Sequence, residues 1–260
     1  MSLRTLRARS ALTLVELLVV LAVLVILAGI VLPKLDGVLS KAHSGQGAAA
    51  IGDVARAMET YRTLNGRYPT QFDSMMQSNT ARYAGLLPGA HAKYLVANIT
   101  QVEVDSLNLA GVTRVVRNID APDTLPSDTG NLPAVAIETS TGLLRLDVTN
   151  AEVQGVLLRE FRQDPLDVLG AAGDGSNARR TYLVFGIGTQ CTICNGKAGV
   201  MRDAPLHQDT DPGRFYNRFV VIFATSKIAG DKADFIGAVG PDGDTMATHM
   251  NEFFKSEEGL

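Results

Sequence analysis

From Leu12 to Leu32 the chain reads LTLVELLVVLAVLVILAGIVL, a run of 21 residues with Glu16 as its one ionisable side chain. As a helix rising about 1.5 Å per residue it is roughly 31 Å long, enough to cross the hydrocarbon core of a bilayer. Arg4, Arg7 and Arg9 precede the run and no arginine lies inside it. That asymmetry puts residues 1–11 on the cytoplasmic side and points the far end of the helix outward. An ordinary secretory signal has the same basic start, and Ala28-Gly29 supplies small residues near the end of the run. Against that reading, a stretch of 16 residues without a charge follows Glu16, and a carboxylate has no use in a disposable signal. A lipoprotein signal fails because Ile30 stands where a lipid-bearing cysteine is needed. A carboxylate in hydrocarbon costs about 2.5–3.5 kcal/mol at the membrane centre and less near an edge, so Glu16 calls for a counter-charge.

Past Pro33 the pattern is again helical over 34–65. Val54, Ala57, Met58, Tyr61 and Leu64 fall on one stripe, and Asp53, Arg56, Glu59 and Arg62 fall opposite. Pro33 removes a backbone donor and crowds the carbonyl of Gly29, which predicts a kink or a locally melted turn there. Gly45, Gly47 and Gly52 weaken the middle of the helix and allow bending or close packing. Asn65-Gly66 is a helix stop, and Thr70-Gln71-Phe72-Asp73 has the pattern of a capping box opening a short second helix. Further on, Thr100 and Glu103 predict a capped helix ending at Gly111, followed by a strand over 112–119. A loop is expected over 120–133, a strand over 135–138 and a helix over 150–161 with Val153, Val156, Leu157 and Phe161 inward. Residues 181–187, 215–225 and 234–239 read as strands, and 245–255 as a last helix.

Composition narrows the function classes. With 46% apolar and 20% charged residues the chain has enough material for one sizeable core. Three of its 24 basic side chains lie in the first eleven residues, so 21 remain against 27 acidic ones. An acidic body without a basic run argues against a nucleic-acid partner.

Ser10-Ala11-Leu12-Thr13-Leu14-Val15-Glu16-Leu17-Leu18 resembles the cleavage and methylation signature of type IV prepilins and type II secretion pseudopilins. Tyr61 to Thr70, which includes Asn65-Gly66-Arg67-Tyr68-Pro69, resembles the segment that follows the long helix in major pseudopilins. The two matches cover about the first 75 residues. The resemblance implies that a prepilin peptidase cuts between Ala11 and Leu12, although the family usually has glycine where Ala11 stands, and methylates the new amine of Leu12. It implies that Glu16 pairs with the Leu12 amine of a neighbouring subunit, replacing two isolated charges in the membrane by one hydrogen-bonded pair. The family also usually carries proline at the position of Pro33.

Cys191-Thr192-Ile193-Cys194 lies in a glycine-rich loop. Outside the cytoplasm a local disulfide is the expected state. A zinc site would need two more ligands, with His207 the nearest histidine; thioredoxin-like chemistry lacks its βαβ setting; free thiols are the remaining alternative. Gly240-Pro241-Asp242-Gly243-Asp244 resembles the acidic turn that binds calcium in major pseudopilins, with Asp242 and Asp244 as the ligands and Asp209 and Asp211 as contributors if folding brings them near. A plain turn explains the same string, Pro-Asp-Gly being a strong turn signal, and is the preferred reading. His43, His91, His207 and His249 are scattered and read as structural or surface residues. No catalytic constellation is visible.

The expected fold is therefore α+β and pilin-like, a long N-terminal transmembrane and amphipathic helix packed on a small antiparallel sheet. The expected parts are a basic leader over 1–11, a membrane and polymerisation helix over 12–33, its amphipathic continuation over 34–65 and a periplasmic domain over 66–260 with a long insertion at about 80–215. The expected role is a non-enzymatic, major-pseudopilin-like subunit of a type II secretion pseudopilus, anchored in a bacterial inner membrane by one span. Its expected partners are the prepilin peptidase, the inner-membrane secretion platform, copies of itself and other pseudopilins. A type IV pilin or minor pilin for adhesion or DNA uptake, and a simple membrane-anchored binding protein, are the alternatives.

Overall fold

Asn65 and Gly66 stop the long helix where the sequence predicts. The computed structural model describes residues 14–76, 87, 93–97, 99–117, 132–194, 199–207, 210, 212–213 and 215–258, with backbone alone at 30–37, 39, 40 and 256–258. Helix α1 (Leu14–Asn65) spans 52 residues, about 78 Å at 1.5 Å per residue. Gly66 has φ +69°, and its N–H donates to the Arg62 carbonyl at 2.8 Å. Without a Cβ the left-handed residue closes the last turn free of strain. Val54, Ala57, Met58 and Tyr61 are buried, while Asp53, Arg56, Glu59 and Arg62 face solvent. Leu64, expected on the buried stripe, is 72% exposed. The core takes its buried α1 side chains from Ile51 to Tyr61, so the final turn runs past it.

The strands are β1 (Phe72–Asp73), β2 (Tyr94–Val96), β3 (Arg114–Val116), β4 (Ala134–Ala136), β5 (Leu144–Leu146), β6 (Arg180–Gly186), β7 (Val220–Ser226) and β8 (Asp234–Val239). Among the described residues they form one eight-stranded sheet, ordered β2-β5-β6-β1-β3-β4, with β7 and β8 added beyond the other edge of β6. The small antiparallel sheet expected from the sequence is thus corrected to a larger, mixed one. Its parallel step is β1 beside β3, Phe72 opposite Val115. Segments between about 80 and 215 supply β2 to β6, so the region expected as an insertion is built into the sheet.

The same pairing overturns the helix expected at Thr70–Asp73. The Thr70 hydroxyl accepts the N–H groups of Thr113 at 3.1 Å and Arg114 at 2.9 Å instead of capping a new turn. Gln71, with φ +65°, turns the chain into β1. A local capping pattern loses here to a ladder contributed from forty residues away.

Helices α2 (Gln101–Ala110), α3 (Ala151–Arg159), α4 (Pro165–Val168) and α5 (Met246–Glu258) complete the fold. Strand β7 is buried at every residue and β6 at all but its first, which is why both read as near-continuous apolar runs. Leu183, Phe185, Val221 and Phe223 join the core under α1 and α2. Tyr182, Val184, Val220 and Ile222 join the core on the opposite face, with Val153 and Leu157 of α3. Phe223 centres the first core, its ring 5.3 Å from Tyr68, 5.8 Å from Phe72 and 5.9 Å from Phe185.

Candidate functional site

The N-terminal part of α1 stands apart from the body. Every residue from 14 to 29 is exposed, Leu14 by 80% and Leu27 by 52%. A helix apolar on all sides belongs in apolar surroundings, a bilayer or the inside of an assembly. Glu16 lies in the first turn, where a negative charge complements the helix dipole. Ala11 and Leu12 lie outside the described residues. Among the described residues no helix is long and apolar enough to cross a membrane; the described side chains of the apolar run cover 14–29, inside the expected span of 12–33. The helix is unbroken across Gly29 and Pro33, so Pro33 does not end it and the locally melted turn is not found.

The expected disulfide is not formed in the structure, where Cys191 and Cys194 are free thiols. The turn closed by the Cys194 N–H on the Cys191 carbonyl, 2.9 Å, leaves Cys191 inside the core and Cys194 at its rim. Burial pushes the Cys191 thiol well up and raises Cys194 to about 11, against the opposing pull of Arg218. Neutral, buried thiols are inert ones.

Asp242 and Asp244 form the predicted turn between β8 and α5. The Gly243 N–H donates to the Gly240 carbonyl at 3.0 Å, Gly243 has φ +84°, and the Asp244 N–H donates to Asp242 Oδ1 at 2.9 Å. Burial, followed by the charges of Asp242 and Glu252, raises the Asp244 carboxyl, with His249 and Lys93 opposing. Asp209 and Asp211 lie outside the described residues.

Beside this turn the structure gathers residues that sequence reasoning left scattered. His207, held by its N–H on the Asn217 carbonyl at 2.7 Å, sits next to the Leu206–Arg218 bridge. His249 sits one turn into α5, whose start Thr245 caps through its hydroxyl on the Thr248 N–H at 3.2 Å. Both rings are buried, 5% and 4% exposed. The ligand atoms of His207, Asp242 and His249 lie within 4.8 Å of one another, with His207 Nε2 3.6 Å from Asp242 Oδ2. The His207 Nδ1 and the Thr210 hydroxyl are 3.1 Å apart. Among the described residues neither ring nitrogen of His249 has a hydrogen-bond partner; Glu252 Oε2 is 3.9 Å from its Nδ1. Forty-one residues separate the two histidines, and a spacing that long carries no local pattern. Gly47 marks how closely α1 approaches the cluster, since a Cβ there would stand 3.1 Å from the His249 ring.

No family model and no solved structure matches the chain. Over 78 residues it is 36% identical to the type II secretion system core protein G of Aeromonas hydrophila, covering 29% of this chain and 54% of that protein. The chain thus spans about half the length of that curated relative. The likeness supports a pseudopilin-like relationship over that part of the chain.

Proposed function

We propose that the chain is a structural subunit of the major-pseudopilin kind, which assembles through α1 into a short periplasmic filament serving type II secretion. The observation that carries the reading is the exposed stretch 14–29, apolar on every side apart from Glu16. A bilayer covers such a rod before assembly and neighbouring subunits cover it afterwards. The 78-residue likeness to core protein G supports the same reading. In it, prepilin peptidase cuts between Ala11 and Leu12, residues 12–33 anchor the chain in the inner membrane, and Glu16 neutralises the Leu12 amine of the next subunit, fixing axial register. The secretion platform and other pseudopilins are the further partners, and the body performs no catalysis.

The test is Glu16→Ala in cells making the secretion machine. Insertion into the inner membrane stays normal, while filament assembly and export are lost. Normal filaments and normal export from this variant refute the pairing.

A second reading, a type IV pilin or minor pilin, is favoured by one observation. The matched 78 residues make up 29% of this chain but 54% of the relative, so this chain is nearly twice as long, and segments between about 80 and 215 supply much of its sheet. Deleting the gene separates the two: lost export with intact surface fibres supports secretion, and the reverse supports piliation.

A further inference from the structure

We propose that His207, Asp242 and His249 bind a divalent transition cation of the zinc class, which pins α5 to the rest of the body. The inference is independent of the secretion reading, because it uses no residue of the N-terminal stretch. A tetrahedral zinc ion with bonds of about 2.0–2.2 Å holds its ligand atoms about 3.3–3.6 Å apart. His207 Nε2 and Asp242 Oδ2 already stand 3.6 Å apart, and the whole cluster lies within 4.8 Å. Closure therefore needs a rotamer-scale shift of the third side chain.

The second, independent observation is His249 itself. Its ring is 4% exposed and neither nitrogen is hydrogen-bonded among the described residues, a costly state for a buried imidazole that a metal bond would relieve. Nδ1 stands 3.9 Å from Glu252 Oε2, while Nε2 lies 3.4 Å from where a Cβ on Gly240 would stand, a position up against Asp242 Oδ1. That same Cβ would run into Asp242 Oδ1, so the glycine leaves the space between the two ligands clear. On the other histidine, the contact of Nδ1 with the Thr210 hydroxyl orients the ring, and Nε2 is the nitrogen on the side of Asp242 Oδ2. Metal-bound histidines use an outer partner in this way. Two imidazoles and one carboxylate, with a fourth position for water, suit zinc and its neighbours. Calcium, which takes six to eight oxygens, is poorly matched to them.

The three ligands come from three places: the segment before β7, the turn after β8, and α5. Helix α5 in turn packs on α1, with the His249 ring at Gly47, Phe253 at Gly45 and the Ser44 hydroxyl 3.4 Å from Glu252 Oε2. The ion would thus latch the C-terminal helix, and through it the body, onto the long helix.

The experiment uses the full chain in detergent, made without a histidine tag, stripped with a chelator and titrated with zinc chloride alone. The expected result is about one ion per chain, with a melting temperature about 5–10 °C higher at a hundredfold excess over Kd. Excess calcium chloride should not displace the ion. His249→Gln and Asp242→Asn, each with wild-type circular dichroism, should weaken binding about 100-fold or more. Cobalt(II) put into the unmodified protein should give a tetrahedral visible spectrum without a thiolate charge-transfer band, a readout that needs no variant. Failure to bind zinc overturns the proposal, as does displacement by calcium, unchanged affinity in either folded variant, or a thiolate band that moves the metal to Cys191 and Cys194.

Discussion

Replacing Glu103 by alanine removes a buried carboxylate that ties the start of α2 to the central strand. Glu103 is 2% exposed. Its Oε2 accepts the Thr100 N–H at 2.7 Å and the Thr100 hydroxyl at 2.9 Å, while Oε1 accepts the Thr181 hydroxyl. The Thr100 hydroxyl accepts the Glu103 N–H in return at 3.4 Å, completing a capping box. Losing the cap costs about 1 kcal/mol. Stranding the buried Thr181 hydroxyl adds about 1–3 kcal/mol and the small cavity left behind about 1 kcal/mol, about 3–5 kcal/mol together with the cap. For a chain of this size that is a drop in melting temperature of about 6–20 °C. Glu103→Gln keeps the shape and both hydrogen-bonding ends, so it should lose about 1–2 kcal/mol, the share due to charge. With no tryptophan in the chain, near-ultraviolet circular dichroism of the tyrosines is the signal to follow, because α1 keeps its helical signal in detergent. The double variant Glu103→Ala with Thr181→Ala isolates the strand contact. A coupling of about 1 kcal/mol or more is expected, and effects that add to within about 0.3–0.5 kcal/mol refute the reasoning.

Two more predictions concern a buried hydrogen bond and the thiol at the rim of the first core. Tyr216→Phe removes the hydroxyl that donates to the buried carboxylate of Asp73 at 2.8 Å; denaturant unfolding should show a loss of about 1.5–3 kcal/mol, and a loss below about 0.5 kcal/mol contradicts the assignment. With Cys194 raised to about 11, about one thiol in a thousand is ionised at pH 8, against about a quarter for an unperturbed cysteine. Alkylation of the folded protein should therefore be slower than that of the denatured protein by about two orders of magnitude, and its rate should climb about tenfold per pH unit between pH 8 and 10. Comparable folded and denatured rates at pH 8 contradict the burial assigned to this thiol.

How much of this was legible in the sequence depends on how far each signal reaches. Thr100, Glu103 and Gly111 bracket α2 as predicted because a cap is a contract among neighbours: Gly111 takes φ +98° and ends the helix. The apolar run of β7 was equally plain, since a strand buried on both faces has no polar alternation to confuse, and the strand at Asp234–Val239 was found at its predicted bounds. The failures are non-local. Phe72 and Asp73 join a sheet through a partner some forty residues away, Val115 and Val116, which outweighed a local capping pattern. Leu64 kept the helical stripe's spacing after the core that gives the stripe its meaning had ended. His207 and His249 meet only because β7 and β8 return the chain to the same edge, so two residues that read as scattered become one cluster. The exposed apolar start of α1 was the most legible feature, because length and hydropathy alone define it.

Cleavage at Leu12 is read from the intact mass of the protein extracted from membranes of cells that possess a prepilin peptidase. The expected chain begins at Leu12, lacks residues 1–11 and carries one methyl group on its first amine. A chain that keeps Arg4, Arg7 and Arg9 in such cells has no Leu12 amine for Glu16 to meet, and the pseudopilin reading falls with it.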